Sequence, residues 1–243
     1  MSDSLRIAMW SGPRNISTAM IRSWGNRNET FVCDEPFYAN YLQVTGLDHP
    51  MAAEIIQHHE PDWQKVVDWL TGEVPDGRRV FYQKQMTHHL LPHISREWLS
   101  SVSNCFLIRD PAEVIPSYIK KNDEPTLEDI GFVQQLEIFN IVREQTGKIP
   151  PVLDSKDVLA NPRISLGNLC DALGLEFSEA MLSWEAGLRD TDGIWASHWY
   201  PEVETSTGFR EYQPKNLPIP EHLTDIYEKC LEVYEELLKH RLQ

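Results

Sequence analysis

The chain has 243 residues, 41% hydrophobic and 24% charged, with a formal charge of −15 at neutral pH. That is enough for one sizeable core or two small ones, and so acidic a surface repels DNA, RNA and other large polyanions at long range. No apolar run approaches the roughly 18 residues of a membrane span, no signal-peptide pattern opens the chain, and the four scattered cysteines form no C-x-x-C pair. The expectation is a soluble, cytoplasmic protein that binds neither nucleic acid nor membrane and has no zinc site or disulfide framework.

In chain order, Ile7-Ala8-Met9-Trp10 is a short apolar strand. A turn with Gly12 and Pro13 follows, then an amphipathic helix from about Asn15 to Trp24. Arg14 sits on the turn, and Ser17 and Thr18 fall in the first helical turn. Unpaired N–H groups and the positive end of the helix dipole lie there. Two hydroxyls and a guanidinium added at that point suit a phosphate or sulfate. They equally suit an ordinary helix cap beside a solvated arginine. A Walker A loop is excluded, because its second glycine and its lysine are missing.

Thr30 to Cys33 is a second strand, ending at Asp34-Glu35-Pro36-Phe37-Tyr38, where the proline stops regular structure. Its carboxylates therefore lie at a strand end, the place where open α/β sheets bind ligands. Residues 40–78 are helical in pieces, with Trp63, Val66, Val67 and Leu70 on one face. A turn at Pro75-Asp76-Gly77 leads to a third strand, Val80 to Lys84, followed by His88, His89 and His93. A lysine closing an apolar strand is costly unless it meets an anion or a carboxylate.

Cys105 to Ile108 is the clearest strand, running into Arg109-Asp110-Pro111 and a helix over about Ala112–Lys120. A polar break from Lys121 to Pro125 precedes one long helix, Thr126 to Thr146. Val152-Leu153-Asp154 is a brief fifth strand, and a helix from Pro162 to Leu173 ends on Gly174 as its C-cap. Residues 184–218 hold Trp184, Trp195, Trp199, Tyr200, Phe209 and Tyr212 without periodicity, as a lid or binding loop does, and the Trp195 to Tyr200 cluster is either an acceptor wall or lid or core beneath that loop. An amphipathic helix from about Pro220 to Leu242 closes the chain. Strands alternate with helices throughout, which predicts a single α/β domain with a mainly parallel central sheet flanked by helices.

Arg109 at a strand end and Ser117 eight residues further on, inside the next helix, can face one pocket edge. With the Arg14 loop they form two oxyanion sites, which suits a nucleoside carrying phosphates at both ends. This arrangement resembles the sulfotransferase superfamily that uses 3′-phosphoadenosine 5′-phosphosulfate. Its members carry an early P-(K/R)-S-G-T-(T/S) loop and a later R-(D/N)-P-x-x-x-x-x-S signature. Pro13-Arg14-Asn15-Ile16-Ser17-Thr18 is similar to the first, with Asn15-Ile16 in place of Ser-Gly, and Arg109-Asp110-Pro111 with Ser117 matches the second. Residues Asp154 to Pro162 and Leu169 to Leu175 resemble a third family segment.

The resemblance implies a P-loop NTPase-like sulfotransferase fold and transfer of a sulfuryl group from that nucleotide to an acceptor, without a metal; the acidity of the chain, not the resemblance, points to a small, neutral or cationic acceptor. The resemblance also implies that Gly12, Asn15, Ile16, Ser17 and Thr18 hold the 5′-phosphate, that Arg14 stabilises the leaving oxygen, and that Arg109 and Ser117 hold the 3′-phosphate. No R-K-G triplet occurs, and Thr205 to Arg210, with Thr207 and Gly208, is its substitute. Relatives take the acceptor's proton on a glutamate after the second strand or a histidine after the third. Here those are Glu35, then His88 or His89, with Lys84 beside them. A magnesium-dependent kinase or hydrolase, with Thr18 and Asp34 on the metal, and a non-catalytic nucleotide-binding relative stay as alternatives.

Overall fold

The computed structural model describes residues 4–120, 122, 124–199, 201–214 and 217–243, with the side chains of Ser197, Trp199, Pro201 and Glu202 outside that description. Lys121 of the polar break, Tyr200 and the Trp199 ring therefore lie outside it. The chain runs β1 (Leu5–Ser11), α1 (Ser17–Gly25), β2 (Thr30–Asp34), α2 (Tyr38–Thr45), α3 (Ala52–His58), α4 (Trp63–Thr71) and β3 (Val80–Met86). Then come β4 (Ser103–Ile108), α5 (Pro111–Tyr118), α6 (Leu127–Ile130), α7 (Phe132–Thr146) and β5 (Val152–Asp154). The remainder is α8 (Ser155–Ala160), α9 (Pro162–Ala172), α10 (Ala196–Trp199), α11 (Pro201–Glu204) and α12 (Thr224–Leu238).

The described strands form one sheet in the order β2-β3-β1-β4-β5, every pair parallel. Parallel strands are covered on both faces, which is why β1 and β4 read as continuous apolar runs. Alternate residues still take opposite sides. Ala8, Trp10, Phe81 and Phe106 pack with Leu70 of α4, Phe139 of α7 and Leu237 of α12. Ile7, Met9, Tyr82 and Leu107 pack with Met20 and Trp24 of α1 and Leu166 and Leu169 of α9. Each such buried side chain contributes about 1.5–3 kcal/mol of apolar transfer energy before the entropy of ordering it is subtracted.

The order carries a functional consequence. The chain leaves β1 toward β2, and leaves its neighbour β4 toward β5. Adjacent strands whose continuations diverge open a crevice at their C-terminal ends, where α/β proteins bind ligands. Two side chains satisfy carbonyls freed there: buried Gln135 donates to Trp10 O and Leu107 O, both at 3.1 Å, and Asn15 donates to Leu107 O at 2.9 Å.

Some elements depart from the sequence expectation. The long helix over 126–146 is two helices, because Gly131 takes a left-handed φ of 76° and its carbonyl accepts from Thr87 Oγ1 at 2.8 Å. A β-carbon there would meet Thr87 Oγ1 at 2.6 Å. The final helix begins at Thr224, because Glu221–Leu223 form a 3₁₀ turn after Pro220. Gly174 caps α9 as expected: its N–H reaches Asp171 O at 3.1 Å, and Leu175 N–H reaches Cys170 O at 2.8 Å.

The aperiodic 184–218 segment is fastened to the body. Arg22 of α1 pairs with Asp192 at 2.6 Å, both side chains buried, and Ser183 bridges Gly208 antiparallel. Trp195 is buried against Tyr38 and His59, so this tryptophan belongs to the core. Among the described residues no helix is long and apolar enough to cross a membrane.

Candidate active site

The first loop leaves β1 at Ser11. Gly12 is needed for close approach, since a β-carbon there would sit 2.8 Å from Ile130 O. Arg14 adopts φ 56°, a left-handed conformation uncommon for a residue with a side chain. Asn15 Oδ1 accepts from Ile16 N–H at 2.8 Å, which holds the turn and starts α1 at Ser17 rather than Asn15. The N-terminus of α1 has no side-chain cap and no acid in its first turn. Its leading N–H groups, with the buried Ser17 and Thr18, are thus suited to an anion.

The second loop leaves β4 at Ile108. Asp110 caps α5 by accepting from Ala112 N–H at 2.8 Å, and Pro111 opens the helix at the position that lacks a partner anyway. That fixes Arg109 just outside the helix and Ser117 within it. The two loops meet directly. Arg14 Nε donates to Ser117 Oγ at 3.0 Å, and Arg109 Nη1 donates to Arg14 O at 2.8 Å. Both motifs are therefore one continuous surface at the β1–β4 crevice, and Arg14 spans it rather than staying beside its own loop.

Lys84, Asp34 and Glu35 form a second group one strand away. Lys84 and Asp34 are register partners on β3 and β2, and Lys84 is level with Met9 of β1. Lys84 Nζ lies 2.7 Å from Asp34 Oδ1 and 2.5 Å from Glu35 Oε1. Burial alone would push the lysine down, but the two carboxylates outweigh it and hold it above its usual value. Glu35, at φ 44°, donates its N–H to Lys84 O at 3.0 Å. The carboxylate anticipated for the buried lysine is present twice.

His89 Nδ1 is 3.9 Å from Glu35 Oε2, and its ring stacks on Tyr38 with centroids 4.7 Å apart and lies 4.6 Å from Tyr41. Burial, then His88 and His49, drives His89 well below the ordinary histidine value. Burial and His49 bring His88 to about 4. Both imidazoles are neutral at neutral pH. His88 is half-buried, with its Nδ1 enclosed, and His89 is fully buried.

Thr207 and Gly208 are held by residues 182–184, where Ser183 forms an isolated antiparallel bridge with Gly208. Thr207 O accepts from Trp184 N–H at 3.0 Å, and a β-carbon on Gly208 would sit 3.1 Å from Leu182 O. The described contacts do not bring either residue to the Arg14 loop. Their segment reaches the site through Tyr212, whose hydroxyl donates to Glu113 Oε1 at 2.8 Å. Glu113 in turn accepts from Arg109 Nε and Nη2 at 3.0 and 2.9 Å. Sequence reasoning missed Glu113, Tyr212 and Gln135. Only the four-residue spacing of Arg109 and Glu113 signalled any of them.

The family model described as "Sulfotransferase domain" matches residues 5–241. Two Arabidopsis thaliana relatives, branched-chain-amino-acid aminotransferase-like proteins 2 and 1, are each 33% identical over 96% and 99% of this chain. The chain spans 41% and 43% of their lengths. Among solved structures, the sulfotransferase domain from the curacin biosynthetic pathway aligns over all of both chains with a TM-score of 0.58 and 16% identity. The sulfotransferase domain of the Synechococcus PCC 7002 olefin synthase aligns over 96% of this chain and 95% of its own, with a TM-score of 0.55 and 17% identity. At those identities the structural likeness is one of fold.

Proposed function

The chain belongs to the sulfotransferase domain family, and from that premise we propose that it transfers a sulfuryl group from 3′-phosphoadenosine 5′-phosphosulfate to a small acceptor in the cytoplasm. The observation that carries the reading is the contact of the two arginine loops: Arg14 with Ser117, and Arg109 with the Arg14 carbonyl. One nucleotide with phosphates at both ends fits a surface built from both loops. The uncapped turn of α1, with Ser17 and Thr18, takes the 5′ end, and Arg109 and Ser117 take the 3′ end. Four cysteines without a disulfide suit a reducing compartment.

In the reaction an acceptor oxygen bonds to sulfur while the bond from sulfur to the 5′-phosphate oxygen breaks. That oxygen leaves with the electron pair, and Arg14 together with the α1 N–H groups is the local positive charge that receives it. The acceptor's proton goes to a base at the mouth of the crevice. Glu35 is the first candidate, with a carboxylate 12% exposed and oriented by Lys84. His88 and His89 follow, weakened as bases by their depressed affinity for protons.

Calorimetry with 3′-phosphoadenosine 5′-phosphate tests the reading. Binding is expected without magnesium, and Arg109→Ala is expected to weaken this ligand far more than adenosine 5′-phosphate. Folded protein that ignores the bisphosphate at high micromolar concentration would remove the donor assignment. A strict magnesium requirement would favour phosphoryl chemistry instead.

A further inference from the structure

Arg109 has five N–H donors in a rigid fork. Three serve described partners: Nη1 the Arg14 carbonyl, Nε and Nη2 a single oxygen of Glu113. The Nε–Nη2 edge is one of the two faces with which a guanidinium grips a carboxylate or phosphate by parallel hydrogen bonds. Here it is held by an acid of the same chain. Glu113 is anchored on its other oxygen by Tyr212, 99 residues away, and its side chain is 9% exposed. Its place in the first turn of α5 adds the helix dipole to what holds its charge there.

A phosphate reaching Arg109 meets a carboxylate already on the fork. Whether the phosphate displaces Glu113 or takes the remaining hydrogens beside it, two anions share one cation at a partly desolvated site. Repulsion there is screened far less than on an open surface. An affinity limited in this way is limited for every ligand carrying the 3′ group, including the product after transfer.

We propose that Glu113 is an exchange partner for the 3′-phosphate at Arg109, a specificity-tuning residue that keeps the spent 3′,5′-bisphosphate from being held too tightly. Its anchor is Tyr212, so the strap after Gly208 shares in setting that affinity. The inference rests on the donor reading above. It goes beyond it in assigning an acidic residue, missing from the phosphate-binding set, control over nucleotide release.

The test compares wild type with Glu113→Gln, which keeps the side chain's shape and removes its charge. Calorimetry and stopped-flow displacement use 3′-phosphoadenosine 5′-phosphate and adenosine 5′-phosphate in parallel. The variant is expected to bind the bisphosphate about tenfold more tightly and release it correspondingly more slowly, the size of one removed like-charge contact. The monophosphate should change little. Glu113→Asp, which draws the carboxylate back from Arg109, should shift the same way by less, and it serves if the glutamine variant fails to fold. Equal or weaker bisphosphate binding in a folded variant would overturn the inference and make Glu113 a structural brace for Arg109. Wild type that binds the monophosphate but shows no preference for the bisphosphate would instead defeat the donor reading, and this inference with it.

Discussion

Two residues with side chains, Arg14 at φ 56° and Glu35 at φ 44°, occupy left-handed backbone at the two ends of the site. Such positions cost about 1–3 kcal/mol and cluster where function demands a side chain in a particular place. Arg14→Gly is therefore expected to raise the thermal midpoint by roughly 2–4 °C, about 1 kcal/mol for a chain of this size, while abolishing nucleotide binding. A fall in the midpoint would deny that Arg14 is strained. Lys84 carries the opposite balance. Lys84→Met leaves Asp34 and Glu35 facing each other in the interior, and removing one partner from a buried ion pair costs about 3–5 kcal/mol. Urea denaturation measures that loss, and a change below 1 kcal/mol would mean the pair is better solvated than its burial implies. At this scale sequence was a partial guide. Lys84's need for a carboxylate could be read from its place at the end of an apolar strand, but Glu113 looks like any four-residue helix-surface pair. Tyr212 stood out only as one aromatic of the aperiodic 184–218 segment, and nothing pointed to its partner, which is 99 residues distant.

Among the elements, the strands were legible because a parallel sheet buried on both faces leaves unbroken apolar runs at 7–10, 80–82 and 105–108. The break at Gly131 was not. Apolar residues recur at helical spacing on both sides of it, and only the contact with Thr87 decides that the chain turns there. Gly131→Ala combines a disfavoured φ with a clash at 2.6 Å. It should destabilise by about 2 kcal/mol or more, read as a lower denaturant midpoint at unchanged slope. Gln135→Leu removes the amide that serves the Trp10 and Leu107 carbonyls and leaves buried acceptors without that donor. The expected cost is about 1–3 kcal/mol, with weaker nucleotide binding because β1 and β4 lose their brace. Retained affinity would separate the crevice from that amide.

The whole molecule responds to acid through histidines that fold neutral. His88 sits at about 4 against an ordinary 6.5, and burial also holds His89 well below that ordinary value. Between those values the unfolded chain binds more protons than the folded one, so stability falls as the solution is acidified from about 6.5 toward 4 and is flat just above that window. Lys84 acts at the other end: with its affinity for protons raised, its contribution holds below its unfolded value and is lost only in strong alkali. Melting curves at pH 7 and pH 5 should differ by several degrees in wild type and by less in His88→Asn. Identical shifts in both would assign the acid response elsewhere. The hydrogen bond from Arg109 to the Arg14 carbonyl has a reach of its own at this scale. It ties a turn near the start of the chain to one near its middle, 95 residues apart. Neither turn is an independent cassette. A designer grafting the early loop onto another sheet must bring the later one with it, and drift that reshapes one turn in a descendant calls for compensation in the other.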